Sequence, residues 1–174
     1  MSENKKRWAI VGAGNGGQAF AGYLSMLGVD IAIYDNFQTT VDALNEQGGV
    51  YLEGNGKKTG FGKILFASTD IAKVIEGAEL IWVIVPSIYH KGIAEKLAPH
   101  LVDGQTIIIN PTAPLGPMEF DKVLKDNGCT ANITLAASCT LLFACRLQKP
   151  GTVFINGQKQ NVTIAAYPST KNAQ

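Results

Sequence analysis

Three observations predict an α/β fold built on a doubly wound parallel sheet for this 174-residue chain. Short β-branched apolar runs alternate with amphipathic helical stretches, the order that strand–helix–strand crossovers produce. The most apolar run, residues 79–85 (Glu-Leu-Ile-Trp-Val-Ile-Val), is unbroken, as expected of a central parallel strand covered on both faces. A glycine-rich turn, Gly12-Ala-Gly-Asn-Gly-Gly17, joins the first strand to the first helix. Ligands of such sheets bind beyond the carboxyl ends of the strands, which directs attention to the loops there.

Residues 8–11 are the first expected strand. The helix after the glycine turn carries Phe20, Tyr23, Leu24 and Leu27 at i, i+3, i+4 and i+7, with Gly28 at its C-terminal cap. Residues 30–34 read as a second strand. A helix over about 39–46 turns Val41 and Leu44 inward and stops at Gly48-Gly49. Glycines spread among Val50, Tyr51, Leu52, Thr59 and Phe61 then predict an inserted antiparallel hairpin over 48–63, before a core strand at 64–67. Thr69 or Asp70 caps a short helix through Ile75. Beyond the central strand come a helix over 88–97, a buried strand at 106–109, a helix carrying Phe120, Val123 and Leu124, and a strand at 132–136. The end alternates like a carboxy-terminal hairpin: 152–155, a turn at Gly157, then 161–166.

Composition narrows the function classes. The chain is 46% hydrophobic and 17% charged, with a net charge of +1, so it is neither disordered nor built to hold nucleic acid or an anionic membrane. Its longest apolar stretches, 80–85 and the Ser/Thr-broken 135–145, fall short of the roughly 20 residues that a membrane span needs. The basic start Lys5-Lys6-Arg7 leads into the glycine turn and not into a secretory apolar region. Cys129, Cys139 and Cys145 form no CxxC pair and no metal-ligand spacing with histidine, which argues against a disulfide framework or a metal site. A cytoplasmic protein is expected, with the sequons at Asn132 and Asn161 as chance matches.

The glycine turn satisfies G-x-G-x-x-G in the context that gives the motif meaning, after a strand and opening a helix. Gly12 permits the tight turn, Gly14 the close approach of a pyrophosphate, and Gly17 the packing of helix on sheet. The free amides around Asn15 and Gly16, with the helix dipole, suit phosphates. Asp35 closes the second strand, where a carboxylate accepts hydrogen bonds from the adenine-ribose hydroxyls and repels a 2′-phosphate. Residues 36–40 offer no Arg or Lys to neutralise one, so NAD is expected over NADP. Val85, Pro86 and Ser87 end the central strand beside that turn, and Asn110-Pro111 ends the next; both exits face the expected dinucleotide.

These residues resemble the amino-terminal domain of the octopine/nopaline (opine) dehydrogenase family. The resemblance runs from Ala9 to about Pro168. It rests on the glycine turn, Ile81-Trp-Val-Ile-Val-Pro86, His90, Leu97-Ala-Pro-His-Leu101 with Asp103-Gly-Gln105, Asn110-Pro111, and above all Thr140-Leu-Leu-Phe-Ala-Cys-Arg146 followed by Pro150-Gly151. It implies a Rossmann-type fold and reduction by NADH of the imine formed from an α-keto acid and an amino acid. It also implies a second, carboxy-terminal helical domain or subunit that brings the catalytic histidine, beyond a domain over 1–168 and a polar tail or linker over 169–174. No residue of this chain is therefore expected to be catalytic, and Thr140 and Cys145 are the expected substrate-side residues. Two positions depart from the family pattern: Thr112 stands where glycine often follows Asn-Pro, and Ala136-Ala-Ser-Cys139 lacks an acidic residue. Glycerol-3-phosphate and ketopantoate dehydrogenases share the glycine turn and the Val-Pro-Ser exit, and a stand-alone NAD(H)-binding module is a further alternative. His90 is read as a histidine of the helix surface or cleft rim, Trp82 and Phe120 as core, and Arg146 as an interdomain or loop-fastening residue.

Overall fold

The computed structural model describes residues 6–172. Lys5 of the basic start and residues 173–174 of the expected tail lie outside them. In chain order the elements are β1 (Arg7–Val11), α1 (Asn15–Met26), β2 (Asp30–Tyr34), α2 (Gln38–Gln47), β3 (Gly49–Gly54), β4 (Gly60–Lys63), β5 (Phe66–Ser68) and α3 (Ile71–Ile75). There follow β6 (Leu80–Val83), α4 (His90–Leu97), β7 (Thr106–Ile109), α5 (Gly116–Asp126), β8 (Thr134–Ala137), β9 (Phe143–Lys149), β10 (Thr152–Gln158) and β11 (Ala165–Tyr167).

The main sheet has the order β11-β8-β7-β6-β1-β2-β5, parallel except for the antiparallel edge strand β11. The order reverses between β1 and β6, and the site is built at this switch point. Alternate residues of β1 and β2 enter opposite cores. Ala9, Val11, Ala32 and Tyr34 pack under α3, α4 and α5, while Ile10, Ile31 and Ile33 pack under α1 and α2. Both faces are covered, which is why β1, β2 and β7 need continuous apolar runs.

The inserted hairpin is present as β3 and β4, but it does not stand alone. β3 pairs in parallel with β10, and β9 pairs antiparallel with β10, giving a second sheet of order β4-β3-β10-β9. The carboxy-terminal hairpin is thereby corrected: its strands are β9 and β10 and its turn is Pro150-Gly151, with Gly151 at φ +82°. Gly157 lies opposite Ala144 at a bulge in β10, and of residues 161–166 only the last two join a strand, β11 on β8. Pro150 has no N–H to give a ladder, and it sits in the turn between the two strands.

Smaller differences follow from the two sheets. The strand expected at 64–67 sits at Phe66–Ser68 and the central strand is the shorter Leu80–Val83. Leu27, expected on the buried face of α1, is half exposed at the cap, whereas the small residues Gly16, Gly17, Ala19, Ala21 and Gly22 are buried. α1 lies between the main sheet and the second sheet. A Cβ at Gly22 would meet Leu52 at 3.0 Å, and one at Gly62 would overlap the backbone of Gly22. Close contact on two sides selects small residues over a leucine stripe.

Candidate dinucleotide-binding site

Gly12 leaves β1 at φ +105°, donating its N–H to the Tyr34 carbonyl at 2.8 Å. A side chain there would come within 2.5 Å of Val85 Cγ1. Gly17 faces inward, and a Cβ on it would overlap the Gly12 carbonyl oxygen. Gly14 differs: it is exposed, caps α1 without a side-chain hydrogen bond, and nothing lies within 4 Å of where its Cβ would stand. With no acidic residue in the first turn, the start of α1 is an open cradle of amide donors at the positive end of a helix. These features fit a pyrophosphate.

Asp35 completes that cradle from β2. Its Oδ2 accepts the Ala13 N–H at 2.7 Å and its Oδ1 accepts the Phe37 N–H at 3.0 Å, so the carboxylate fastens the glycine turn to the strand end. Each oxygen keeps a further lone pair for a ribose hydroxyl. Gly12, Gly14, Asp35, Val85 and Pro86 line one cavity of about 230 Å³, together with Tyr34, Asn36, Phe37, Ile84, Tyr89 and Ile93. Of the remaining expected residues, Asn15, Gly16, Gly17, Ser87 and Asn110 do not line it. Ser87 is exposed and opens a single 3₁₀ turn before α4. Gly16 packs toward Ile84 and Leu141. Asn15 is turned toward β9, where its Oδ1 accepts the Leu147 N–H at 2.7 Å and its carbonyl accepts the Cys145 thiol at 3.3 Å.

Several site residues escaped sequence reasoning. Phe37 is exposed and Tyr89 half exposed beside the cavity; an aromatic two residues past the strand-closing acid was the available signal. Lys96 of α4 reaches Tyr34 Oη at 2.8 Å and Asn36 Oδ1 at 2.7 Å, bringing a cation beside a segment that contains none. Gln18, fully buried, donates from Nε2 to the Ala13 carbonyl at 2.8 Å and accepts the Gly151 N–H at 2.8 Å. It locks the glycine turn to the hairpin of the second sheet, and only a fold that brings residues 18 and 151 together reveals it.

At the ends of β7 and β8 lies a wider cleft of about 580 Å³, lined by Pro111, Thr140, Leu141, Phe143, Lys159 and neighbours. Asn110 is buried next to it, with Nδ2 donating to the Thr140 carbonyl at 2.9 Å and Oδ1 without a partner. Thr140 lines this cleft, while Cys145 does not and is tied to Asn15. Burial pushes the Cys145 thiol up from its ordinary value, partly opposed by the Arg146 charge. Arg146 is exposed.

His90 is not the rim residue expected. It is buried, edge-on to Phe120, and its Nε2–H donates to the Val85 carbonyl at 3.1 Å. Burial lowers its pKa, opposed by that hydrogen bond and by Glu119, and the neutral imidazole fastens α4 to the end of β6. Phe120 is core, and Trp82 packs against the core beside Phe20. Gln105 closes the opposite end of the sheet, donating to the carbonyls of Ile75 and Ala78. Among the described residues no group of His, Cys, Asp or Glu could hold a metal ion, and no helix is long and apolar enough to cross a membrane.

The site can be set beside known proteins. Residues 7–113 match the family model described as NAD-dependent glycerol-3-phosphate dehydrogenase N-terminus. The chain is 34% identical over 166 residues to the opine dehydrogenase of Arthrobacter sp. (strain 1C), covering 95% of this chain and 46% of that protein. It therefore spans about half the length of the curated relative it matches. Among solved structures, octopine dehydrogenase with NADH and L-arginine superposes at a TM-score of 0.83 with 22% identity, over 93% of this chain and 42% of that one. A ketopantoate reductase from Ralstonia eutropha superposes at 0.68 with 22% identity, over 91% and 49%.

Proposed function

Because the chain belongs to the family of NAD-dependent glycerol-3-phosphate dehydrogenase N-termini, an NAD-binding Rossmann-type domain, we propose that it is the cofactor-holding part of an opine-dehydrogenase-like oxidoreductase. The reaction is reduction of the imine formed between an α-keto acid and an amino acid. The observation that carries this substrate class is the 34% identity to an opine dehydrogenase, which extends over 95% of the chain and so includes the strand-end cleft. In this reading residues 1–168 are the domain, 169–174 a polar tail or the start of a linker, and a second domain or subunit supplies the acid–base group. Three cysteines without disulfide partners suit the reducing cytoplasm.

The chain's own residues divide the work. The amides from Gly14 to Gly17 hold the pyrophosphate, and Asp35 receives the adenine ribose. Gly12, Val85 and Pro86 form the floor between them, with Ser87 at the mouth. Asn110 stands at the nicotinamide end, where its buried side chain holds the Thr140 carbonyl and so fixes the two strand exits together. Thr140 and Cys145 belong to the substrate side. When bound, NADH supplies the hydride. Fixing both reactants at adjacent strand ends converts a bimolecular encounter into an oriented one, worth up to about 7–11 kcal/mol of barrier.

Two measurements test the reading. Fluorescence titration of the chain is expected to show NADH bound more tightly than NADPH; equal affinity overturns the role given to Asp35. The intact gene product, given NADH, pyruvate and a panel of amino acids, is expected to consume NADH only when both substrates are present. The family model favours a second reading, a glycerol-3-phosphate-type dehydrogenase. NADH consumption with dihydroxyacetone phosphate and with no amino acid would establish that reading instead.

A further inference from the structure

Residues 127–174 contain Arg146, Lys149, Lys159 and Lys171 and no Asp or Glu. Most of the 580 Å³ cleft at the ends of β7 and β8 is built from this basic segment, and Lys159 is the cation that lines it. Its backbone N–H, just past β10, donates to the Leu142 carbonyl at 3.0 Å, which fixes the root of the side chain. Its ammonium donates to Thr140 Oγ1. Thr140 is held in turn: its carbonyl accepts Asn110 Nδ2 at 2.9 Å and the Ser138 hydroxyl at 3.0 Å.

Among the described residues no carboxylate pairs with Lys159. An ammonium has three donors, and one is engaged by Thr140, so two remain with the full charge. The Thr140 hydroxyl, accepting from Lys159, still has its own proton to donate. Pro111, Leu141 and Phe143 supply an apolar wall beside the pair, and Lys159 itself is exposed, so an incoming anion can reach its ammonium. Lys159 does not line the glycine-turn cavity, so this cation is not part of the pyrophosphate cradle.

We propose that Lys159 and Thr140 form the anchor for the carboxylate of a small organic acid substrate, with the ammonium and the hydroxyl as its two donors. The inference rests on the oxidoreductase reading above and names the group by which its substrate is held. Both an α-keto acid and an amino acid carry that group, and the free amino acid also carries a cation that Lys159 repels. The α-keto acid is therefore the expected occupant.

The test is an amide-resolved NMR titration of the ¹⁵N-labelled chain, run with and without NADH. Pyruvate, methyl pyruvate, L-alanine and inorganic phosphate are added at matched ionic strength. Pyruvate is expected to shift the amides of Thr140, Leu142 and Lys159 saturably, with methyl pyruvate and L-alanine at least about tenfold weaker. Lys159→Gln is expected to lose the pyruvate response, and Lys159→Arg to retain most of it. Both variants keep the wild-type amide spectrum elsewhere and the wild-type NADH affinity. Equal shifts from methyl pyruvate or phosphate, or an unchanged pyruvate response in Lys159→Gln, overturn the anchor. A response stronger for L-alanine than for pyruvate overturns the choice of occupant. Failure of NADH to bind overturns the oxidoreductase reading and is read from the same samples, independently of the pyruvate arm.

Discussion

Gly14 and Gly17 belong to one motif but meet opposite surroundings, and substitution separates their roles. Gly14 faces open space, so Gly14→Ala is expected to cost less than about 1 kcal/mol of stability. It also puts a methyl group where the pyrophosphate approaches, weakening NADH by at least about tenfold, or ~1.4 kcal/mol. Gly17→Ala drives a Cβ into the Gly12 carbonyl and should destabilise the domain by about 1–3 kcal/mol, seen as a lower urea midpoint. His90 offers a second test at this scale. Its folded pKa is lowered from 6.5 by burial, so the unfolded chain binds the proton more readily. The stability from its neutral form is complete above that ordinary value and is lost as pH falls below it toward the lowered folded value. Urea midpoints should therefore fall faster with acidification for the wild type than for His90→Gln; parallel profiles would show that His90 contributes no such linkage.

Among the elements, α1 is the one whose register the site depends on, and Gln18 holds it. The side chain satisfies a carbonyl of the glycine turn and an amide of the β9–β10 turn, both away from solvent. Gln18→Leu leaves those groups unpaired and should cost about 1–3 kcal/mol, with a loss of NADH affinity because the glycine turn is no longer fixed. Retained NADH affinity in a destabilised variant would confine Gln18 to the scaffold. The caps of the shorter elements were plain in the sequence. Asp70 accepts the N–H groups of Ala72 and Lys73, and Gly48 ends α2 in the left-handed region, both from local backbone chemistry. The pairing of β3 with β10 was not. A strand's hydrogen bonds lie perpendicular to the chain, so nothing local in Gly49–Gly54 specifies pairing with a segment about a hundred residues away.

At the scale of the whole molecule, the second sheet is a structural wall and not an appendage. Phe143, Val153 and Ile155 join Val50, Leu52 and Phe20 in one buried cluster over α1. A chain truncated after Leu142 loses those side chains, each worth about 1.5–3 kcal/mol when buried, against a typical total stability of about 5–15 kcal/mol. It is expected to lose cooperative thermal unfolding and NADH binding together. A truncated chain that still unfolds cooperatively would show that the main sheet folds without its wall and without its edge strand β11.

The strand–helix alternation, the glycine turn and the strand-closing Asp35 were all readable from the chain. Each is a local pattern: a period of two or 3.6, a backbone that needs glycine, a carboxylate at a fixed distance along the sequence. The tertiary structure decided what faces what. It turned Asn15 toward β9, buried His90, brought Lys96 beside Asn36, and set Lys159 on Thr140 at the mouth of the strand-end cleft. Those placements arise where crossovers and the second sheet bring distant segments together, and no spacing within one segment encodes them. The sequence by itself thus determined the fold class and the kind of cofactor, while the packing of two sheets around α1 decided which side chains surround it.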